Sequence, residues 1–458
     1  MSSSARLSTI AASPETLPQT PHWWYLPVLA VIIGMAALGA ATALLLEGVE
    51  PFATWYYNFA WYPVLLIGDG IVALTGGAGR GRRGEFLLLG RKSFLVTVLA
   101  WSAVVWLFYE LFNFRLQNWY YINVPADRFG YWSGTLIAFA TVLPAVFVAE
   151  GILSGLGVGE RVRWKRFEVT SALIAVMRIT GVIMLALVMF WPGYFFPLVW
   201  GATMLLVEPE NYRRSRDHSL LGDLEKGEPG RLLRLLLGGA AIGFIWELLN
   251  IHARAKWIYT VPFLEDARFF EMPLPGFFGF PPFAVECFIL WQSIVLAGFA
   301  VPRMGITVRA RKRKRIAAAL LAVMFSIGVL LGMEQLTVDS RKPEMEHFSE
   351  LPAQQLRAHD YDMFKLAQAA PAHVAAIAES SLETAAQYIE LARLATLRGL
   401  GSDNVKLLQA LGINSLQGLA AADWRVLEDE LEAMTGRDIV AARVRVWIRG
   451  ARQAVSQG

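Results

Sequence analysis

Four glutamates sit within apolar stretches long enough to cross a bilayer: Glu110, Glu150, Glu247 and Glu286. An ionised side chain there costs roughly 2.5 to 3.5 kcal/mol on insertion scales, so each is a candidate for function and is expected to face the bundle interior. Glu110 and Glu247 are each followed at i+3 by an asparagine, Asn113 and Asn250, on the same helical face. Glu150 and Glu286 follow Pro144 and Pro281 by six and five residues, about 8 to 9 Å into a proline-started helix. Carboxylates crowded in a dry cavity either yield a carboxylic acid able to donate a proton or bind a cation. In the competing arrangement each glutamate bonds to its neighbouring asparagine or a tryptophan indole and only braces the helices.

Aromatic residues accompany the acidic ones. Glu110-Leu-Phe-Asn113 leads to Trp119-Tyr-Tyr121 and Pro125, and Glu247-Leu-Leu-Asn250 leads to Trp257-Ile-Tyr259 and Pro262, displaced by about 137 residues. Further out, Pro144 and Glu150 answer Pro281 and Glu286, and Trp61 and Asp69 answer Trp200 and Glu208. The chain therefore contains a duplication. With Asn113 and Asn250, the rings of Trp119, Tyr121, Trp257 and Tyr259 are the candidate ligand-binding set, suited to a lipid-like or polyene molecule or forming an aromatic belt. The Gly- and Pro-broken stretches 130–136 and 269–280 are too short to span and are expected to be interfacial or re-entrant. Asp69 and Glu208 are expected to include an ion-pair partner of Arg178, the one arginine well inside a span, and His252 is expected to have a structural or surface role. No phosphate-binding glycine loop, nucleophile elbow or His-rich metal motif occurs in a supporting context, so neither cofactor nor metal is expected. The single Cys287 excludes an intrachain disulfide framework.

Positioning these residues requires a membrane bundle. Of the 458 residues 55% are hydrophobic and only 17% charged, against about 25% charged in soluble domains. Nine candidate spans lie near 24–46, 55–76, 92–113, 142–158, 168–190, 193–208, 232–251, 281–302 and 316–333. Basic residues concentrate in alternate loops: Arg80 to Lys92, Arg161 to Arg166, Arg213 to Arg234, and Arg303 to Arg315. The positive-inside rule then places the N-terminal tail (1–23) in the cytoplasm of a bacterial-type cell membrane and the chain beyond the ninth span outside. Two units of four spans, 24–160 and 168–302, share one orientation and form a parallel repeat about an axis along the membrane normal, which brings the four glutamates to one outer-leaflet cavity. The expected fold is all-α: two four-span repeats, a ninth helix at 316–333 and a soluble helical domain at 345–458.

The order of acidic helix end, Trp-x-Tyr, Gly-containing apolar loop, and proline followed by glutamate resembles the duplicated integral-membrane lycopene cyclases of carotenoid synthesis. Those enzymes place adjacent glutamates after the proline where this chain has single ones, Glu150 and Glu286. The resemblance implies proton donation by membrane carboxylates to an isoprenoid double bond without redox change. Arg398-Gly-Leu-Gly401, Leu411-Gly-Ile413 and Leu419-Ala420 resemble a helix-hairpin-helix domain, with a second copy in which Tyr388-Ile-Glu-Leu-Ala-Arg393 answers Trp447-Ile-Arg-Gly-Ala-Arg452 and Leu366-Ala367 answers Leu419-Ala420. Such hairpins bind nucleic-acid backbones through amide N–H groups. From Pro343 onward, however, 15 acidic residues face 11 basic ones, which opposes binding a polyanion. Docking of a protein partner or self-association is expected instead. Three functions follow: an isoprenoid- or lipid-binding membrane protein with acid-base cyclase or isomerase chemistry, a cation or proton pathway through the same carboxylates, or an accessory scaffold that docks a partner.

Overall fold

The computed structural model describes residues 25–77, 84–261, 267–301, 312–436 and 439–457. The tail 1–23, Arg80, Arg82, Arg83, Pro262, Arg303 and the start of the 309–315 basic run lie outside the described residues. Helices dominate. The membrane region consists of α1 (Leu26–Leu46), α2 (Tyr56–Thr75), α3 (Lys92–Leu116), α4 (Arg128–Phe139), α5 (Val142–Gly155), α6 (Ser171–Phe190), α7 (Val199–Arg214), α8 (Gly230–His252), α9 (Phe280–Leu296) and α10 (Lys312–Leu336).

Among the described residues eight helical stretches are long and apolar enough to cross a membrane, with α4 and α5 together forming one of them, Arg128–Gly155. The segment 130–136, expected to be interfacial or re-entrant and too short to span, is thus part of a helical spanning stretch. Asp127 caps α4 by accepting from the Gly130 amide at 2.6 Å. Gly134 does not break the helix; it admits the Trp55 ring, which a Cβ there would meet at 2.2 Å. The counterpart 269–280 holds two-residue strands and then a 3-10 turn, Leu274–Gly279, which runs on into α9 as one stretch long enough to span, Leu274–Leu296, so only its first part is separate from the span. The candidate span 193–208 is the short α7, with Trp200 out of helical conformation near its start. The chain nevertheless returns along it to where α6 began: the Val169 amide, just before α6, donates at 3.2 Å to Glu225, at the end of the short helix Leu220–Glu225 that follows α7.

The two ends of the bundle differ. At one lie the basic loops, where Trp164 donates to the Leu224 carbonyl and Arg234 to that of Val158. At the other, about 37 Å away along the 25 residues of α3, β1 (Trp119–Ile122) pairs antiparallel with β2 (Lys256–Tyr259). Residues 338–341, leaving α10, bridge to Tyr121 and Val124 beside this ribbon.

The C-terminal region follows as α11 (Ala353–Ala358), α12 (Met363–Leu366), α13 (Pro371–Ile377), α14 (Leu382–Thr396), α15 (Gly401–Ala410), α16 (Leu416–Ala421), α17 (Trp424–Thr435) and α18 (Ala441–Gln457) around its own apolar core. Helices α12 and α13 pack on α14 as α16 and α17 pack on α18. The Arg393 guanidinium donates to the Ala367 carbonyl at 3.1 Å, and Arg452, its counterpart in sequence, donates to that of Ala420 at 2.8 Å. This region sits on the ribbon end of the bundle. Tyr120, Ile122, Ile258 and Val446 form a small shared core. Around it stand Arg398 with Glu271 at 3.1 Å, Arg443 with Asp339 at 3.0 Å, and Arg254 with both Asp362 (2.7 Å) and Glu50 (3.0 Å).

Candidate functional site

The β1–β2 ribbon brings the duplicated segments face to face. Trp119 lies opposite Tyr259 and Tyr121 opposite Trp257, so residues that correspond in sequence exchange places about the centre of the ribbon. Each strand is hung from its preceding helix by an asparagine. Asn113 donates to the Trp119 carbonyl at 2.8 Å and accepts from the amides of Asn118 and Trp119 at 3.0 and 3.3 Å. Asn250 donates to the Trp257 carbonyl at 3.0 Å and accepts from its amide at 3.1 Å. Both asparagines are fully buried.

This anchoring turns the Trp and Tyr side chains back onto the glutamate one helical turn earlier. Glu110 Oε1 accepts from the Trp106 indole at 2.9 Å, the Trp119 indole at 2.8 Å and the Tyr121 hydroxyl at 2.5 Å, while Asn113 reaches Oε2 at 3.5 Å. Glu247 Oε1 accepts from the Tyr259 hydroxyl at 2.8 Å and the Trp257 indole at 3.3 Å. Glu247 Oε2 is buried with no hydrogen-bond partner. The difference lies in the third indole: at the displacement of 137, Trp106 is answered by Gly243, where the Phe280 ring takes the space at 2.2 Å from a Cβ position. All these donors are neutral; among the described residues no lysine or arginine bonds to Glu110, Glu247 or Glu286.

Glu286, also fully buried, accepts from the Tyr109 hydroxyl at 2.6 Å and the Met204 amide at 3.0 Å. Tyr109 precedes Glu110 on α3, so this glutamate joins the second half of the chain to the first. Glu150 does not join the group. It pairs with Arg234 Nε at 2.8 Å, near the start of α8 and the basic loops. Two reasons account for this correction. Since α4 and α5 together form one spanning stretch, Glu150 lies roughly 33 Å from Arg128. With the prolines aligned, Glu150 corresponds to Cys287 and Glu286 to Ala149, so the two glutamates point about 100° apart around their helices. The four carboxylates thus do not converge on one cavity.

The remaining expectations also resolve. Asp69 accepts from the amides of Leu87, Leu88 and Leu89 at 2.7 to 3.0 Å, and Glu208 from that of Leu221 at 2.6 Å, so each pins the basic loop after its helix. Arg178 pairs with neither and is exposed on α6. His252 is exposed at the end of α8, consistent with a surface place.

Between Glu110 and Glu247 runs a continuous aromatic wall that the sequence reading missed. Trp106 lies 5.3 Å from Trp246, Trp246 lies 6.3 Å from Trp257, and Tyr57 meets Trp257 edge-on at 5.1 Å. On the other side Trp200 packs on Tyr109 and Trp119 at 5.3 and 6.3 Å. The available signals were Trp106, at i−4 from Glu110, and Trp246, adjacent to Glu247. Two small cavities flank the wall and share Trp106 and Trp257 in their linings. One, of about 40 Å³, also touches Tyr57, Tyr121 and Trp246; the other, of about 70 Å³, touches Trp119, Trp200, Tyr259 and Phe283. Each has room for a few waters or one end of a chain-like molecule. No group of metal-ligating side chains occurs among the described residues. No family model, curated protein or solved structure matches this chain.

Proposed function

We propose that this is a multi-pass membrane protein that binds a hydrophobic isoprenoid or lipid-like ligand, with Glu110 and Glu247 as the acidic groups the ligand approaches. The observation that carries the reading is the pair of carboxyls to which no described lysine or arginine bonds, each held by Trp and Tyr donors, with Glu247 keeping one buried oxygen unpartnered. A carboxyl held this way is suited to offering a proton to an electron-rich double bond or to receiving a cation, and apolar walls exclude water from either event. Cavities of about 40 and 70 Å³ fall far below the roughly 300 Å³ of a pocket that encloses a whole ligand. They suit the end of an elongated molecule.

The orientation belongs to the same proposal. Two four-helix units form a parallel repeat about an axis through the β1–β2 ribbon, α7 counts as a crossing, and the basic loops face the cytoplasm of a bacterial-type cell membrane. The soluble domain then lies outside, as a helix-hairpin-helix pair that docks protein and not nucleic acid. Its Gly399–Gly401 turn supports this use: Cβ atoms there would strike Ile122 at 2.2 Å and Ser340 at 2.6 Å, so this chain already covers the turn that would approach a phosphate.

A second reading has its own observation. Glu110 and Glu247 are each bonded within their own half of the chain, as braces would be, which fits an accessory scaffold. The test is ligand content per folded molecule after mild detergent extraction, by mass spectrometry, for the wild type and Glu247→Gln. The amide preserves shape but supplies no acidic proton. Loss of retained ligand at unchanged melting temperature supports the first reading; unchanged content, or no ligand in either protein, supports the brace.

A further inference from the structure

A groove of about 540 Å³, separate from the carboxyl site, opens on the flank of the bundle between α3, α4 and α10. Its walls are apolar, formed by Leu99, Ala103, Leu136, Ala322, Ile327 and Leu330. It exists because α10 packs most closely toward its end, where Val329, Leu330 and Met333 are buried with Ala103 and Leu107 of α3, while Ala318 is the one buried residue nearer its start. Nearer its start, Ile316, Leu320, Leu321, Val323 and Met324 are exposed.

The two ends of the groove differ in polarity. Toward the ribbon it is closed: Trp132 of its lining donates to Glu334 at 2.7 Å, and Arg128 pairs with the same carboxylate at 2.9 Å, tying α4 to α10. At the basic end it is cationic. Arg315 is part of the lining, and among the described residues its Nε donates to the Gly298 carbonyl at 3.4 Å. Lys314 Nζ stands 5.3 Å from the ring of Phe299, another lining residue. Lys312 and Arg313 follow on the exposed turn beside them. From Arg315 to Leu330 the groove runs along 15 residues of helix, about 22 Å, whereas one leaflet of a bilayer whose core is about 30 Å thick accounts for about 15 Å.

We propose that this groove binds a polyprenyl phosphate: one long unsaturated chain with an anionic head. The phosphate sits against Arg315 and Lys314, as phosphates do on basic pockets between membrane helices at the cytoplasmic face. The chain passes the bilayer midplane toward Leu330. A two-tailed phospholipid meets the charge requirement but places its tails within one leaflet and presents two of them to a single groove. A neutral polyprenol meets the length requirement and leaves the cations unanswered. The site stands independently of the carboxyl reading, because α4 lies between them: Leu136, Ile137 and Ala140 face the groove while Thr135, Ala138 and Phe139 face the inner cavity.

The experiment uses the full chain in detergent micelles, titrated with undecaprenyl phosphate, undecaprenol and palmitoyl-oleoyl phosphatidylglycerol. The readouts are native mass spectrometry and the fluorescence of Trp101 and Trp132, both in the lining. Undecaprenyl phosphate is expected to bind at least about tenfold tighter than either comparison lipid. Arg315→Gln should remove about tenfold of its affinity while leaving undecaprenol unchanged. Ala322→Trp should block both prenyl probes, with the smaller Ala319→Leu measured beside it and melting temperatures recorded for all variants. Equal binding of phosphatidylglycerol, no preference over undecaprenol, or an Arg315→Gln protein with wild-type affinity would each overturn the proposal, whatever the outcome at Glu247.

Discussion

At the scale of single residues, Glu110 and Glu247 occupy corresponding positions with unequal surroundings, and the inequality is testable. Both oxygens of Glu110 accept hydrogen bonds, whereas one oxygen of Glu247 has none. In Glu110→Gln the new NH₂ would oppose the Asn113 NH₂, a donor facing a donor. This variant should lose about 1 to 3 kcal/mol of stability, with Glu247→Gln within about 1 kcal/mol of wild type, compared by thermal unfolding in one detergent. Asn113→Ala removes three bonds to the turn and strand that carry Trp119 and should cost about 3 kcal/mol, more than any exposed substitution. An Asn113→Ala protein melting like wild type would show that the ribbon does not depend on this anchor.

At the scale of elements, the duplicated Glu-x-x-Asn and Trp-x-Tyr segments were legible in sequence because both glutamate and asparagine must stay on one helical face and the strand must fold back over them. Less legible were features set by approach between distant elements. Gly130 and Gly134 read as a break in 130–136, yet Gly134 is small because Trp55 lies against it within a continuous helix. Glu150 and Glu286 looked equivalent by counting from proline, but one residue of difference turns the side chain to another face, where Arg234 meets Glu150. Trp106 and Trp246 were indistinguishable from belt tryptophans until α3 and α8 were brought together. The same logic governs Gly399, with φ +76° and Ile122 where a Cβ would go. Gly399→Ala should loosen the soluble domain from the ribbon, by over about 1 kcal/mol, and raise limited proteolysis near 342–345 while leaving helix content unchanged. Unaltered proteolysis would mean that the turn is not a docking element.

Across the whole molecule, the C-terminal region and the bundle are joined by charge pairs around a small apolar centre, and this predicts a pH response. Burial acts to raise the pKa of Glu271, but Lys256 and Arg398 prevail and hold it below the ordinary carboxylate value; Lys342 does the same for Glu50 against partial burial. Groups with lowered folded pKa contribute stability that is present above the unfolded value, near 4.5, and lost as pH falls through the folded one. Asp339 runs the other way, its pKa raised by burial that the Arg443 pairing only partly offsets, so its protonation as pH falls relieves a cost. The lowered groups, Glu271 and Glu50, should each weaken the seam on acidification below about pH 4.5, read as protection of Tyr120 to Ile122 against hydrogen exchange, and Arg398→Ala should shrink the part that comes from Glu271. Protection unchanged down to pH 3 would show that these pairs do not hold the seam. The central claim, that an elongated hydrophobic ligand reaches the carboxyls through the aromatic interior, is most directly tested by an electron cryo-microscopy map of the protein in nanodiscs of its native lipid. Non-protein density ending between Trp106 and Trp257, beside Glu247, is the expected result; a map with these rings closed on each other and ordered lipid only on the outer surface of the bundle would rule the ligand out.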